Sequence, residues 1–494
     1  MNDPTPLYSA AQTRQFDSLA IAAGISGGTL MARAGAAAFA ALRARWPQAR
    51  RITVVCGVGN NAGDGFVLAR LARAAGCEVS MLHVGDVSVL QSDALQALND
   101  YRAAGGVSQA FVAADLAAAD VLVDALFGTG LTREVSGAWR VAIEAMNADA
   151  TPVLALDLPS GLHADSGAVL GVAVRAAVTV TFIARKQGLY TGAGLAQSGH
   201  VACADLDVPS QVYAGATPGA LLLAHDALAD WLPPRARDAH KGRFGHVLVI
   251  GGEQGMSGAV RLAAEAAARV GAGLVSIATR AAHAALLSAA RPELMCHGVE
   301  HAVQLTPLLA HVGVIAIGPG LGQGEWAREL LARALDTRLP LVVDADALNL
   351  LAQEPARRDN WILTPHPGEA ARLLQCGTAD IAADRYQAVR ELAARYGGVA
   401  VLKGSGTLIA RQGAPVMVCD AGNPGMASGG MGDVLTGVIG GLLAQGLSLF
   451  DAAQAGVLAH ALAGDAAARD GERGLLASDL LPCLRRIVNP VAQG

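Results

Sequence analysis

One unit recurs along this chain and leaves few folds open to it. It is a short apolar, β-branched run, then a glycine-rich turn, then an Ala/Leu-rich stretch. RITVVCGVGNNAGDG, ADVLVDALFGTG, TPVLALDLPSG and VTVTFIARKQG carry it in the first half. HVLVIGGEQGMSG, VGVIAIGPGLG, LPLVVDADALN and GVAVLKGSG carry it in the second. Near-continuous apolar strands alternating with helices build parallel sheets covered on both faces, so the expected class is α/β. Ligands of such folds gather beyond the C-terminal ends of the strands, where these turns fall. The region from Tyr8 to Trp46, with Ala and Leu at helical spacing, reads as one or two helices packed on the first sheet.

At 494 residues the chain exceeds one typical domain. Between its halves, DVPSQVYAGATPGALLLAHDALADWLPPRARDAHKGRFG breaks the rhythm with DVP, TPG and a PP pair before a basic KGR restarts it. A seam is expected within residues 212–235, with one domain over 1–215 and another over 225–494. Hydrophobic residues make up 52% and charged residues 16%, which argues against disorder, and a net charge of −5 argues against a large nucleic-acid surface. The apolar stretch from Leu19 to Leu42 is broken by Gly24, Gly27, Gly28 and Arg33, so no membrane span is expected. MNDPTPLYSA has no basic region before an apolar core, and the seven cysteines include no CxxC pair. Both facts make a cytoplasmic protein with reduced thiols the expectation. No His or Cys cluster has zinc spacing.

In the first half, Gly57, Gly59 and Ala62 satisfy a relaxed dinucleotide fingerprint between a strand and a helix. Asn60, Asn61 and Asp64 crowd the same loop. Two carboxamides and a carboxylate can bind hydroxyls or a hard cation, although turn and cap duties would also explain them. Asp124 and Asp157 end two further apolar strands, ahead of ALFGTGL and LPSG. Acids at the ends of buried strands are costly unless paired, bound or working, and three at one sheet edge favour a site.

The set GxGNN-x-GDG, VDALFGTGL and LDLPSGL resembles the epimerase domain of NAD(P)H-hydrate repair proteins, the YjeF N-terminal family. The resemblance covers roughly residues 1–210. It implies a Rossmann-like three-layer domain that interconverts the R and S forms of NADHX and NADPHX, cofactors hydrated at the 6-position of the nicotinamide. Substrate would then lie against Asn60, Asn61, Ala62, Gly63 and Asp64, against Gly128, Thr129, Gly130, Leu131, Thr132, Arg133 and Glu134, and against Asp157. Potassium would sit at Asn61, Asp124 and Ser160, and Asp157 is the candidate for moving protons. The family usually has Gly where this chain has Ala62, and a methyl group there would narrow the loop.

The second half closes on GNPGMASGGMGDVLTG, in which six of sixteen residues are glycine and the one charged residue is Asp433. An apolar run follows, so the glycines would sit at a helix N-terminus, a place that attracts anions. DADALN (Asp344 to Asn349), TPHPGE (Thr364 to Glu369) and LKGSGT around Lys403 lie upstream. Neither a GxxxxGK[ST] loop nor a GxSxG elbow occurs.

GxGD at a glycine-rich helix start resembles the anion hole of ribokinase-like kinases. There the acid takes a proton from the attacking hydroxyl while the helix start stabilises the transferred phosphoryl group. KGRFGHVLVIGG, SGAVRLAAEAAARVGAGLVS, IGPGLG, DADALN, TPHPGE, LKGSGT and GNPGMASGGMGDVLTG together, in this order from Lys241 onward, resemble the NAD(P)H-hydrate dehydratase domain. That resemblance implies a ribokinase-like α/β domain dehydrating S-NADHX and S-NADPHX with ADP, releasing AMP and phosphate. Ala259, Gly320 or Gly322, His366 and Asp433 would contact the hydrated cofactor, with Asp433 as general base. Lys403, Gly404, Ser405, Gly406, Thr407 and Gly432 would hold ADP. Asp344, Asp346 and Glu369 would support magnesium, with helix capping the competing account of Glu369 and a backbone-bonded loop residue that of His366. The expected partners are NADHX or NADPHX and ADP, on a homo-oligomer without nucleic acid or membrane. Two alternatives stay open: a ribokinase-like kinase for a vitamin alcohol with an accessory first half, and a non-catalytic nucleotide-binding protein.

Overall fold

The computed structural model describes residues 4–116 and 119–490. The described residues of 6–220 form one compact unit, and those of 221–490 belong to a second. The region from Tyr8 to Trp46 forms two helices, Ala10–Ala22 and Gly27–Arg45, started by the side chains of Ser9 and Ser26. Each serine hydroxyl accepts a first-turn N–H that would otherwise go unpaired.

The first unit holds a seven-stranded sheet in the order Ser108–Ala110, Glu78–His83, Arg51–Cys56, Val121–Ala125, Val153–Leu156, Val178–Phe182, His200–Ala204. Every neighbouring pair is parallel. Val121–Ala125 and Val178–Phe182 are buried at every position, Asp124, Thr179 and Thr181 included. The chain steps outward from Arg51–Cys56 to Ser108–Ala110, then returns to lay Val121–Ala125 on the other side of Arg51–Cys56. That reversal opens a crevice at the strand ends. The helix Asn60–Ala74 starts there, directly after the first of these strands, with Gly59 as its cap residue.

The sheet of the second unit includes, in this order, Val416–Cys419, Thr407–Arg411, Val399–Leu402, Trp361–Leu363, Leu341–Val343, Val314–Ile317, His246–Ile250, Leu274–Thr279 and Met295–Gly298. The pairs from Val399–Leu402 to Met295–Gly298 are parallel, and Thr407–Arg411 lies antiparallel to both of its neighbours. A second reversal falls between His246–Ile250 and Val314–Ile317. The helix Met431–Ala444, buried along nearly its whole length, crosses the helix Ser257–Arg269 at close range. A Cβ on Gly437 would run into the Ala263 carbonyl, so that crossing depends on a missing side chain. Among the described residues no single helix is long and apolar enough to cross a membrane.

Candidate functional site

The crevice of the first unit opens into a pocket of about 840 Å³. Asn60, Asn61 and Asp64 line it from the first helical turn, Gly128 to Arg133 from the loop after Val121–Ala125, and Asp157 from the end of Val153–Leu156. Lys186 and Asp17 join them. The Lys186 ammonium lies 2.5 Å from Asp157 Oδ1 and also donates to Thr181 Oγ1 at 3.0 Å and the Phe182 carbonyl at 2.7 Å. Burial, then the charges of Asp157 and Asp17, hold the Asp64 carboxyl far above the ordinary carboxylate range. Burial also raises Asp17, with Lys186 pulling the other way.

Beneath this pocket, Asp124 is fully buried. Its Oδ1 accepts from Ser160 Oγ at 2.6 Å and its Oδ2 from the Ser160 N–H at 2.7 Å. Burial raises its carboxyl to about 6 against these bonds. Asn61 donates to the carbonyls of Phe127 and Leu156 at 3.0 and 3.2 Å, which leaves its buried Oδ1 without a hydrogen-bond partner. An orphaned buried oxygen beside a carboxylate and carbonyls is an oxygen-only donor set, and it fits a hard monovalent cation.

In the second unit, Asp433 occupies the first turn of Met431–Ala444, behind Gly430 in a left-handed conformation. Lys403 Nζ sits 2.6 Å from Asp344 Oδ1 and 3.7 Å from Glu369 Oε2. Thr436, from the helix of Asp433, donates to the other Asp344 oxygen at 2.8 Å. Burial pushes Lys403 down, but Asp344 and Glu369 more than offset it, and the ammonium stays above its usual range. Burial first, then the charge of Asp344, raise Asp433 to about 7, with Lys403 opposing. A carboxyl poised there can take a proton near neutrality. Gly432 leaves room for the pair, since a Cβ would lie 3.2 Å from Lys403 Nζ and 3.4 Å from Asp344 Oδ2.

The turn Lys403–Thr407 is pinned by Arg385, whose guanidinium donates to the carbonyls of Leu402, Lys403 and Gly406 at 3.3, 3.2 and 3.4 Å. Collecting carbonyls on one side turns the N–H edge of a glycine-rich loop to the other, the arrangement an anion needs. Ala259 meets Gly320 across the second reversal, 3.1 Å from where a Cβ would stand, and Gly322 donates its N–H to Asp346 at 2.8 Å. His366 caps the helix Pro367–Leu374 through Nδ1, and Glu369 answers by accepting the His366 N–H at 2.7 Å. Capping thus accounts for one edge of His366 and one oxygen of Glu369. Asp344, Asp346 and Glu369 each accept from protein donors, and among the described residues no three acidic, His or Cys side chains form a metal-holding group. The magnesium expected here therefore has no all-protein cage. It fits only as an ion brought by nucleotide phosphates and met by a single carboxylate.

A family model described as NAD(P)H-hydrate dehydratase matches residues 247–486, and one described as YjeF-related protein N-terminus matches residues 27–188. The chain is 53% identical to a bifunctional NAD(P)H-hydrate repair enzyme of Coxiella burnetii, over 98% of this chain and 100% of that one. The chain belongs to the bifunctional NAD(P)H-hydrate repair family. A repair enzyme of the same description from Escherichia coli is 47% identical over 93% of this chain and 89% of its own length. Among solved structures, a ribokinase-like superfamily protein from Enterococcus faecalis matches with a TM-score of 0.52 and 31% identity, covering 55% of this chain and 96% of that chain.

Most residues expected from the repair-family motifs converge on the two sites. Three do not. Ala62 and Gly63 are buried in the helix behind the pocket, and the Ala62 methyl packs in the core without narrowing the loop. Glu134 is exposed, beside Gly171 and outside the pocket lining. Motif reading missed Lys186, Asp17, Arg385 and Thr436. Lys186 had a signal: it follows an apolar strand at the same edge as the acids. Asp17 and Arg385 look like ordinary solvated charges on helices.

Proposed function

We propose that this chain restores hydrated nicotinamide cofactors in two steps. The unit over residues 1–215 interconverts the R and S forms of NADHX and NADPHX. The unit over residues 225–494 dehydrates the S form with ADP, giving AMP and phosphate. The observation that carries this reading is Asp433, a carboxyl raised to about 7 in the first turn of a glycine-rich helix beside the half-buried Lys403. A base there can take the proton of the 6-hydroxyl as its oxygen attacks the β-phosphorus of ADP. The new O–P bond replaces the bridge to AMP, and the helix N-terminus and Lys403 meet the growing charge. The C6–O bond then breaks, phosphate leaves, and loss of a C5 proton restores the double bond.

In the other unit, Asp157 accepts the hydroxyl proton of C6 as the C6–N1 bond opens to an aldehyde, and Asp64 protonates N1. Rotation and reclosure give either epimer. Asn61, Asp124 and Ser160 would hold potassium, which supplies a fixed positive charge at the pocket floor. Magnesium would come with the ADP phosphates and be met by Asp346. The work belongs in the cytoplasm, on a homo-oligomer, without nucleic acid or membrane.

The test is to incubate the protein with mixed NADHX epimers and ADP and follow absorbance at the NADH band, with spontaneous epimerisation subtracted. Complete recovery in two phases is expected. Recovery of about half would remove the epimerase. No recovery, or a stable phosphorylated product, would overturn the reading.

A further inference from the structure

We propose that Lys186 is the positioning residue of the epimerase pocket, holding Asp157 with one carboxylate oxygen tied and the other free for the substrate. This rests on the epimerase reading above. The Lys186 side chain is 1% exposed, and an ammonium has three protons to donate. Asp157 Oδ1, Thr181 Oγ1 and the Phe182 carbonyl take all three. Lys186 therefore has no N–H left for a substrate and acts through Asp157.

The same contacts treat the two Asp157 oxygens differently. Oδ1 accepts from Lys186, and more weakly from Thr181 Oγ1 and the Phe182 N–H, both at 3.4 Å. Oδ2 faces Gly128, 3.1 Å from where a Cβ would stand, next to Asn61 on the pocket wall. Asp157 holds this pose with a positive φ of 65°, a conformation a non-glycine residue keeps only when its surroundings dictate it. Four carboxyl groups, Asp17, Asp64, Asp93 and Asp157, line the pocket with this one buried ammonium. By bonding directly to Asp157, Lys186 sets its positive charge against that carboxyl and not against the others. Burial first, with the charge of Asp157 adding to it and Lys186 opposing, raises the neighbours Asp17 and Asp64, and Asp64 becomes the donor.

The experiment uses the full-length protein and separates R- and S-NADHX chromatographically, with ADP-dependent dehydration of S-NADHX as an independent activity of the same preparation. Lys186→Met is expected to lower the epimerisation kcat about tenfold or more, with KM for R-NADHX within about twofold and dehydration unchanged. Lys186→Arg, which keeps the cation, should recover part of the loss. Thr181→Val, which keeps the lysine and removes one of its acceptors, should lower kcat several-fold and stands in if Lys186→Met fails to fold. An unchanged kcat in Lys186→Met or Thr181→Val, or a change confined to KM, would overturn the lysine's role. Wild-type protein that leaves the R epimer untouched would instead sink the epimerase reading itself.

Discussion

Lowering the pH from 8 to 6 should slow the dehydratase about tenfold, and Asp433 sets that figure. Its carboxyl is raised to about 7, by burial first and by Asp344 next. A general base works only when ionised. At pH 8 about nine-tenths of Asp433 is carboxylate, and at pH 6 about one-tenth, so kcat/KM falls on the acid side. An ordinary aspartate, near 3.9, would leave the rate flat over this range. Initial rates of NADH formation from S-NADHX and ADP, both well below saturation, report the free enzyme. The terminal phosphate of ADP titrates nearby, at about 6, and must be told apart. Asp346→Asn does this. The charge of Asp346 helps to hold Asp433 up, so removing it should move the acid limb to lower pH, whatever it does to the plateau. A limb that belongs to ADP stays where it is. A flat profile, or the same limb in both proteins, would refute the assignment of the base.

Asp433→Asn should still bind ADP, measured by calorimetry, while turnover drops by about 10²- to 10⁴-fold; near-normal turnover would remove Asp433 from the chemistry. Potassium should raise the melting temperature of the wild type more than sodium does. Asn61→Leu, which lacks the orphaned oxygen, should lose that difference. Gly437→Ala should destabilise the dehydratase unit by about 1–3 kcal/mol, seen as a lower denaturation midpoint, because the new methyl meets the Ala263 backbone at a packed crossing.

Strand ends and turns were readable because parallel sheets impose them. An apolar run buried on both faces looks the same wherever it sits, and the acids beyond it have to be used. That is how Asp124 and Asp157 could be found before any coordinates, whereas Asp433 stood out by the glycine-rich helix start around it. What stayed hidden depends on tertiary pairing. Lys186 follows an apolar strand, but only the fold shows it buried against Asp157 from 29 positions away. Arg385 lies on a helix with no glycine or motif nearby and still pins the Lys403 turn. Ala62 misled in the opposite direction. In a loop its methyl would have mattered, but it falls in the first helical turn, where the side chain points into the core. Glu134, last of the run expected from Gly128 onward, is exposed next to the buried Val135.

The two bonds of Asp344, one to Lys403 and one to Thr436, have a consequence for how such a site can change over time. The loop assigned to the nucleotide and the helix that carries the base hang on a single carboxylate. A substitution that shifts Lys403 also alters the charge that Asp433 feels. Grip and basicity are then one inherited trait, and descendants of this chain can retune either only by moving both.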